Sequence, residues 1–176
     1  MLFNRLFRPR PAKAVGQELY LRVVDQSRIP ALYAELGVPD TVEGRFEVYT
    51  LHVVLVIERL RADAEQGAET SQALFDTYVT SLDHALREMG VGDLSVGKKM
   101  RKLGEALFGR ARSYETAFHA LPATELLEAL LIRTIFAQAE EADAARLAAY
   151  VLEQRAALAA QPLERLLAGD IDWKPA

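Results

Sequence analysis

Apolar residues recur along the chain at steps of three and four, the spacing of one helix face, and no stretch sustains the alternation of a half-buried strand. From Gln17 onward, Leu19, Tyr20, Val23 and Val24 set up a first helix that Pro30 interrupts. A short helix through Leu32, Tyr33 and Leu36 stops at Gly37. Asp40, with Glu43 three residues on, reads as a capping box for the next helix. That helix carries Phe46, Tyr49, Val53, Ile57 and Leu60 on one face. Leu51, Val54, Leu55 and Val56 make it apolar nearly all round, as expected of a buried central helix. Ser71 opens another, with Leu74, Phe75, Tyr78, Val79, Leu82, Leu86 and Met89 inward and Gly90 as its C-terminal cap. After the linker GVGDLSVG comes the clearest amphipathic stripe: Val96, Met100, Leu103, Leu107, Ala111, Tyr114, Phe118 and Leu121. Pro122 ends it and suits the first turn of a helix through Leu126, Leu127, Leu130, Leu131, Ile135 and Phe136. An Ala-rich helix around Leu147, Val151 and Leu158 follows. Pro162 starts a last short helix that Gly169 ends, before the tail Ile171-Asp172-Trp173. The pattern predicts an all-α, single-domain helical bundle of about seven or eight helices over residues 15–176.

At 176 residues and 51% hydrophobic content, the chain can bury a core without staples. Cysteine is absent, which excludes disulfides, thiolate metal sites, iron–sulfur clusters and a cysteine nucleophile. The longest aliphatic run, Val53–Ile57, is far short of the ~20 residues of a membrane span. The net charge of −4 argues against bulk nucleic-acid binding. The charge is unevenly spread. Arg5, Arg8, Arg10 and Lys13 lie in a basic segment, residues 1–14, that also holds Leu2, Phe3, Leu6 and Phe7, while the rest of the chain has 17 basic against 25 acidic residues. That segment reads either as a short anchor on an anionic membrane surface or as a frayed, solvated terminus. A second basic cluster comprises Lys98, Lys99, Arg101, Lys102, Arg110 and Arg112, with Glu105 its only acid.

Chemical motifs are sparse. Gly92 to Lys99 nearly spells a phosphate-binding loop, but Lys99 stands where the Mg²⁺-holding hydroxyl belongs, and the loop follows a helix rather than a strand. None of His52, His84 and His119 sits in a di-iron or zinc spacing. His52, on the apolar helix, reads as a buried histidine bonded to a neighbour. No acid–base pair or nucleophile elbow appears, so no enzyme activity and no cofactor or metal is expected. The outer face of the long basic helix is more informative. Lys98, Arg101, Lys102 and Arg112 point away from its apolar stripe, and Phe108 falls among them. An aromatic among arginines reads as a binding hot spot, or else Phe108 is covered by the C-terminal helices and the charges are merely solvated. Gly104 and Gly109 on the same helix would permit another helix to approach closely.

Two stretches, Leu19–Leu60 with its core GVPDTVEGRFE followed by LH, and Leu86–Phe118 with its core LREMGVGDLSVGKKM, resemble the ubiquinol–cytochrome c chaperone family over roughly residues 17–150. The motif positions are Asp40, Gly44, Arg45, His52, Arg87, Glu88, Gly90, Gly92, Asp93, Gly97, Lys98 and Lys99. The resemblance implies a non-enzymatic factor that binds newly made cytochrome b and supports its haem loading and insertion into respiratory complex III. It further implies action in the bacterial cytoplasm, peripheral at the inner membrane. Mitochondrial members work with a small partner subunit at the ribosome's exit region; the short N-terminus here fits a bacterial member. Lys98, Lys99, Arg101, Lys102, Phe108 and Arg112, with the Gly90–Gly97 linker, are the expected client-binding surface. Two alternatives stand beside it: an adaptor that tethers to the ribosome or an anionic membrane through its basic residues, and a small helical enzyme or haem carrier using His52. The sequence sets no oligomeric state.

Overall fold

The stretch that holds the aliphatic run Val53–Ile57 becomes the axis around which the rest is laid. The computed structural model describes residues 11–175 except 63, 138, 140 and 141, and for 64–66, 93 and 94 the backbone only. Residues 1–10, with Arg5, Arg8 and Arg10 of the expected membrane anchor, lie outside the described residues. Eight helices and no strand are present among the described residues: α1 (Ala12–Ser27), α2 (Pro30–Ala34), α3 (Val42–Arg61), α4 (Ala64–Glu88), α5 (Asp93–His119), α6 (Glu125–Arg133), α7 (Ala144–Ala160) and α8 (Leu163–Leu167). The fold is all-α, as the periodicity predicts. No helix is long and apolar enough to cross a membrane, among the described residues.

Helix α3 is central, in contact with α1, α4, α5 and α7. Val48, Leu51, Leu55, Val56 and Leu60 are completely or almost completely buried, which is why the helix needs apolar residues on more than one face. It is capped by Thr41 rather than Asp40: the Thr41 hydroxyl accepts from the Gly44 N–H at 3.0 Å. Asp40 is one position too early and instead pairs with Arg45 at 2.6 Å. Helix α1 crosses α4 at Gly16, where an added Cβ would stand 2.6 Å from the Ala73 carbonyl carbon. Helix α4 starts at Ala64, seven residues before the expected Ser71, and Gly67 in its first turn meets the Leu60 backbone too closely for any side chain.

Several sequence expectations need correction. Met89 is not inward but 57% exposed, since α4 has already ended at Glu88 and the chain turns at Gly90 with φ +80°. The linker shrinks to Gly90–Gly92. Gly92 is the N-cap of α5, and Gly97 lies within that helix. Pro122 falls before α6, which begins at Glu125 behind Thr124, and Ile135 and Phe136 are buried in a turn after it. No helix among the described residues packs closely on Gly104 or Gly109: a Cβ at either would meet nothing within 4 Å.

After α8, Gly169 turns with φ +81° and the chain runs back along α7. Lys174 exchanges two hydrogen bonds with the Gln154 amide, and Asp172 two with the Gln161 amide. This return strap sets Trp173 edge-on against His52, ring centres 5.3 Å apart.

Candidate functional site

Helix α3 has more apolar surface than its neighbours cover. Helix α5 rests on α4 and α6 and meets α3 over a shorter stretch. Between α3, α4 and α5 this leaves an open groove of about 740 Å³. Its floor is Val53, Val54 and Ile57 from α3, Phe75 from α4, and Leu107 and Phe118 from α5. At the bottom the Thr50 and Tyr78 hydroxyls bond each other at 2.8 Å, so neither is left without a partner. Burial raises the Tyr78 hydroxyl pKa, which keeps it a neutral phenol.

Phe108 forms one wall. It is 68% exposed, yet its ring leans on Phe75 across the groove at 5.6 Å between centres. It is not covered by the C-terminal helices. The rim is charged in both signs: Glu58 and Arg61 from α3, Arg112, Glu115 and His119 from α5, and Arg155 from α7. Arg155 grips Glu58 through both carboxylate oxygens at 2.7 to 3.0 Å and lies 4.9 Å over the Phe118 ring, closing one end.

Helix α5 is held over the groove by a second fork. Arg110 donates to both oxygens of Glu47 at 2.7 and 2.8 Å, and the Glu47 side chain is only 9% exposed. The hydrogen bonds to Glu47 raise the Arg110 pKa further. Arg110 therefore leaves the basic cluster read from the sequence: its counter-charge comes from 63 residues earlier in the chain.

The expected surface residues divide. Phe108 and Arg112 line the groove, whereas Lys98, Lys99, Arg101 and Lys102 stand exposed towards the N-terminal end of α5, away from it. Those four cations make no hydrogen bond or ion pair among the described residues. The motif positions build turns and entries. Gly44 sits against the Pro39 carbonyl, Arg45 pairs with Asp40 over the Tyr33 ring, Arg87 pairs with Asp83, and Gly90 makes the left-handed turn. Glu88, Gly92 and Gly97 are exposed. The backbone of Asp93 opens α5, and its side chain lies outside the described residues.

His52 is fully buried, as the sequence suggests. The Val48 carbonyl, 2.8 Å from Nδ1, can only accept, which puts the ring proton on Nδ1; the Ser27 hydroxyl lies 3.2 Å from the same nitrogen. Nε2 then accepts from the Tyr150 hydroxyl at 2.8 Å, and Tyr150 accepts from the Gln26 amide at 2.8 Å. Burial lowers the His52 pKa to about 4 and pushes Tyr150 up to about 12. The ring is committed to the core, away from any opening. No group of three or more metal-ligating side chains stands together among the described residues.

The groove residues Val53, Ile57, Phe75, Leu107 and Phe118 read as ordinary core from their spacing. The one available signal is α3 itself, whose apolar surface exceeds one face.

Residues 34–173 match the profile of a family described as ubiquinol–cytochrome C chaperone. The fold is similar to the crystal structure of the Cbp3 homolog from Brucella abortus, with a TM-score of 0.84 and 34% sequence identity over 99% of this chain and 97% of that one. No curated protein sequence matches the chain.

Proposed function

The chain belongs to the ubiquinol–cytochrome c chaperone family, and from that premise we propose that it serves complex III assembly by holding an apolar helix of newly made cytochrome b in the groove between α3, α4 and α5. The observation that carries this reading is the groove: an open apolar trough, walled by an exposed aromatic and rimmed by both charges. A helix with its side chains is ~10–12 Å across and presents aliphatic surface, so it needs a trough rather than a closed pocket. The mixed rim suits the charged residues that flank a membrane helix on either side. On this reading the protein works by holding and releasing its client, without covalent chemistry. The site of action would be the cytoplasmic face of the bacterial inner membrane.

The test is in-cell photocrosslinking from position 112, followed by identification of the adduct. Cytochrome b is the expected adduct. Phe108→Glu should cut its yield roughly 10-fold or more, because an exposed aromatic anchor carries a large share of such binding. Phe108 is 68% exposed, so the substitution spares the fold. Adducts confined to other proteins, or a cytochrome b adduct indifferent to Phe108→Glu, would overturn the assignment.

A second reading rests on four cations without an ion pair among the described residues. Lys98, Lys99, Arg101 and Lys102 suit attachment to an anionic surface, membrane or ribosome, with ~1 kcal/mol from each near charged lipid. Salt-sensitive co-sedimentation with anionic vesicles, abolished when all four are changed to Glu, would support it.

A further inference from the structure

Six large apolar side chains stand exposed among the described residues: Leu21, Val42, Met89, Phe108, Leu126 and Ile132. Only Leu126 and Ile132 share a helix, the nine-residue α6, and they are 52% and 51% exposed. The inner side of α6 is accounted for, with Leu127, Leu130 and Leu131 buried where it packs on α5 and α7. Its outer side consists of Glu125, Leu126, Ala129, Ile132 and Arg133.

That outer set is symmetric about Ala129. Three residues before and three after it stand branched aliphatics, Leu126 and Ile132. Four before stands an acid, Glu125, and four after stands a base, Arg133. In an antiparallel pair of helices, a residue a given number of steps before the centre of one lies level with the residue the same number after the centre of the other. A two-fold axis at Ala129 therefore brings Leu126 level with the partner's Ile132, and Glu125 level with the partner's Arg133. Both contacts occur twice, as an isologous interface requires. The small central alanine lets the two axes approach to ~8 Å.

Neither charge is committed within the chain. Glu125 makes no hydrogen bond or ion pair among the described residues, and Arg133 reaches the Ser113 hydroxyl only at 3.5 Å. An acid in the first turn and a base in the last also complement the helix dipole. That explanation accounts for the charges but not for the two half-exposed aliphatics placed symmetrically between them.

We infer that the outer face of α6 is a dimer interface, and that its occupant is α6 of a second copy of this chain. One short helix buries a small area, so the dimer is weak and concentration-dependent. No residue of α6 lines the groove, so pairing leaves both grooves open.

Sedimentation velocity over about 1–100 µM tests the interface, that being the range a small contact implies. The wild-type chain should pass from monomer to dimer across the series. Ile132→Glu should leave it monomeric. Arg133→Glu and Glu125→Arg should each be monomeric alone, because each presents like charges to itself. The two single variants mixed together should pair, and the double variant carrying both changes should regain the dimer. Far-UV circular dichroism melts separate loss of pairing from loss of fold, and the mixing experiment needs both variants folded to succeed. A wild-type chain that stays monomeric throughout, or a dimer that survives Ile132→Glu, would overturn the inference. So would variants that fail to pair when mixed, or assembly beyond a dimer.

Discussion

The buried His52 makes stability depend on pH in a way that can be worked out from its partners. An unfolded chain presents an imidazole with pKa 6.5, and the folded chain lowers it to about 4. Burial is the main cause. The hydrogen bond to the Val48 carbonyl works the other way and offsets part of that cost. Since the folded value is the lower one, the unfolded state takes up the proton first as pH falls. The stabilisation is therefore fully present above pH 6.5 and drains away down to pH 4. The size is about 2.5 units at 1.36 kcal/mol each, or roughly 3 kcal/mol. Against a domain stability of ~5–15 kcal/mol, that is a substantial fraction. Urea unfolding at half-unit steps from pH 7.5 to 4.5 should be run on the wild type and on His52→Gln. The variant is less stable at pH 7.5 through its lost contacts, but it carries no proton linkage at this site. The gap between the two should narrow by roughly 3 kcal/mol towards pH 4, with carboxylate titrations cancelling in the difference. Parallel curves, or a gap that widens in acid, would refute the reasoning.

Removing Arg110 strands a carboxylate that is nearly buried. Arg110→Met should cost about 2–3 kcal/mol in urea unfolding, somewhat less than for a fully buried pair because the Arg110 side chain keeps 28% exposure. Adding Glu47→Leu to that variant should restore most of the loss; no restoration would show that the fork has another role. Glycine-to-alanine changes should act with opposite signs at different sites. Gly104→Ala and Gly109→Ala should each raise stability by ~0.5–1 kcal/mol, since both are helical and a Cβ there meets open space. Gly16→Ala should lower it by about 1–3 kcal/mol, because the new methyl collides with the Ala73 backbone and pushes α1 off α4. Thermal melts of the three variants read both signs in one experiment.

The helices were legible because each carries its own evidence. The stripe from Val96 to Phe118 needs no neighbour to be recognised, and α3 announced its burial by being apolar on more than one face. Boundaries were less so. Asp40 and Thr41 are both capping residues, and sequence alone does not show that the Thr41 hydroxyl takes the Gly44 N–H while Asp40 turns to Arg45. The first turn of α4 holds Gly67 against Leu60, a contact between two helices that spacing within either cannot show. The groove was the hardest to see. It exists because α5 does not lie flat on α3, and a missing neighbour leaves no mark on the residues that lack it. Val53 and Phe75 have the same pattern whether a helix covers them or not. Phe108 was legible as an exposed aromatic, but its company was not. Phe75 and Arg112 stand beside it, while Lys98 and Lys99 are carried off along α5. Arg110 counted as one more surface charge until the fold supplied Glu47.

The strap that sets Trp173 against His52 has a consequence for the order in which the protein is made. The cluster it closes draws on Gln26, His52, Tyr150 and Trp173, so its members emerge far apart in time. At ~5–20 residues per second, roughly 7–30 s separate the first from the last. Throughout that interval the polar centre between α1 and α3 has no lid. A product cut short before residue 173 lacks the Trp173 ring that stands edge-on against His52. Packing of the strap against His52 is thus the last of these contacts that the growing chain can make. A chain that ends before the strap should therefore open locally more readily around His52 than the whole chain does, which hydrogen exchange would read.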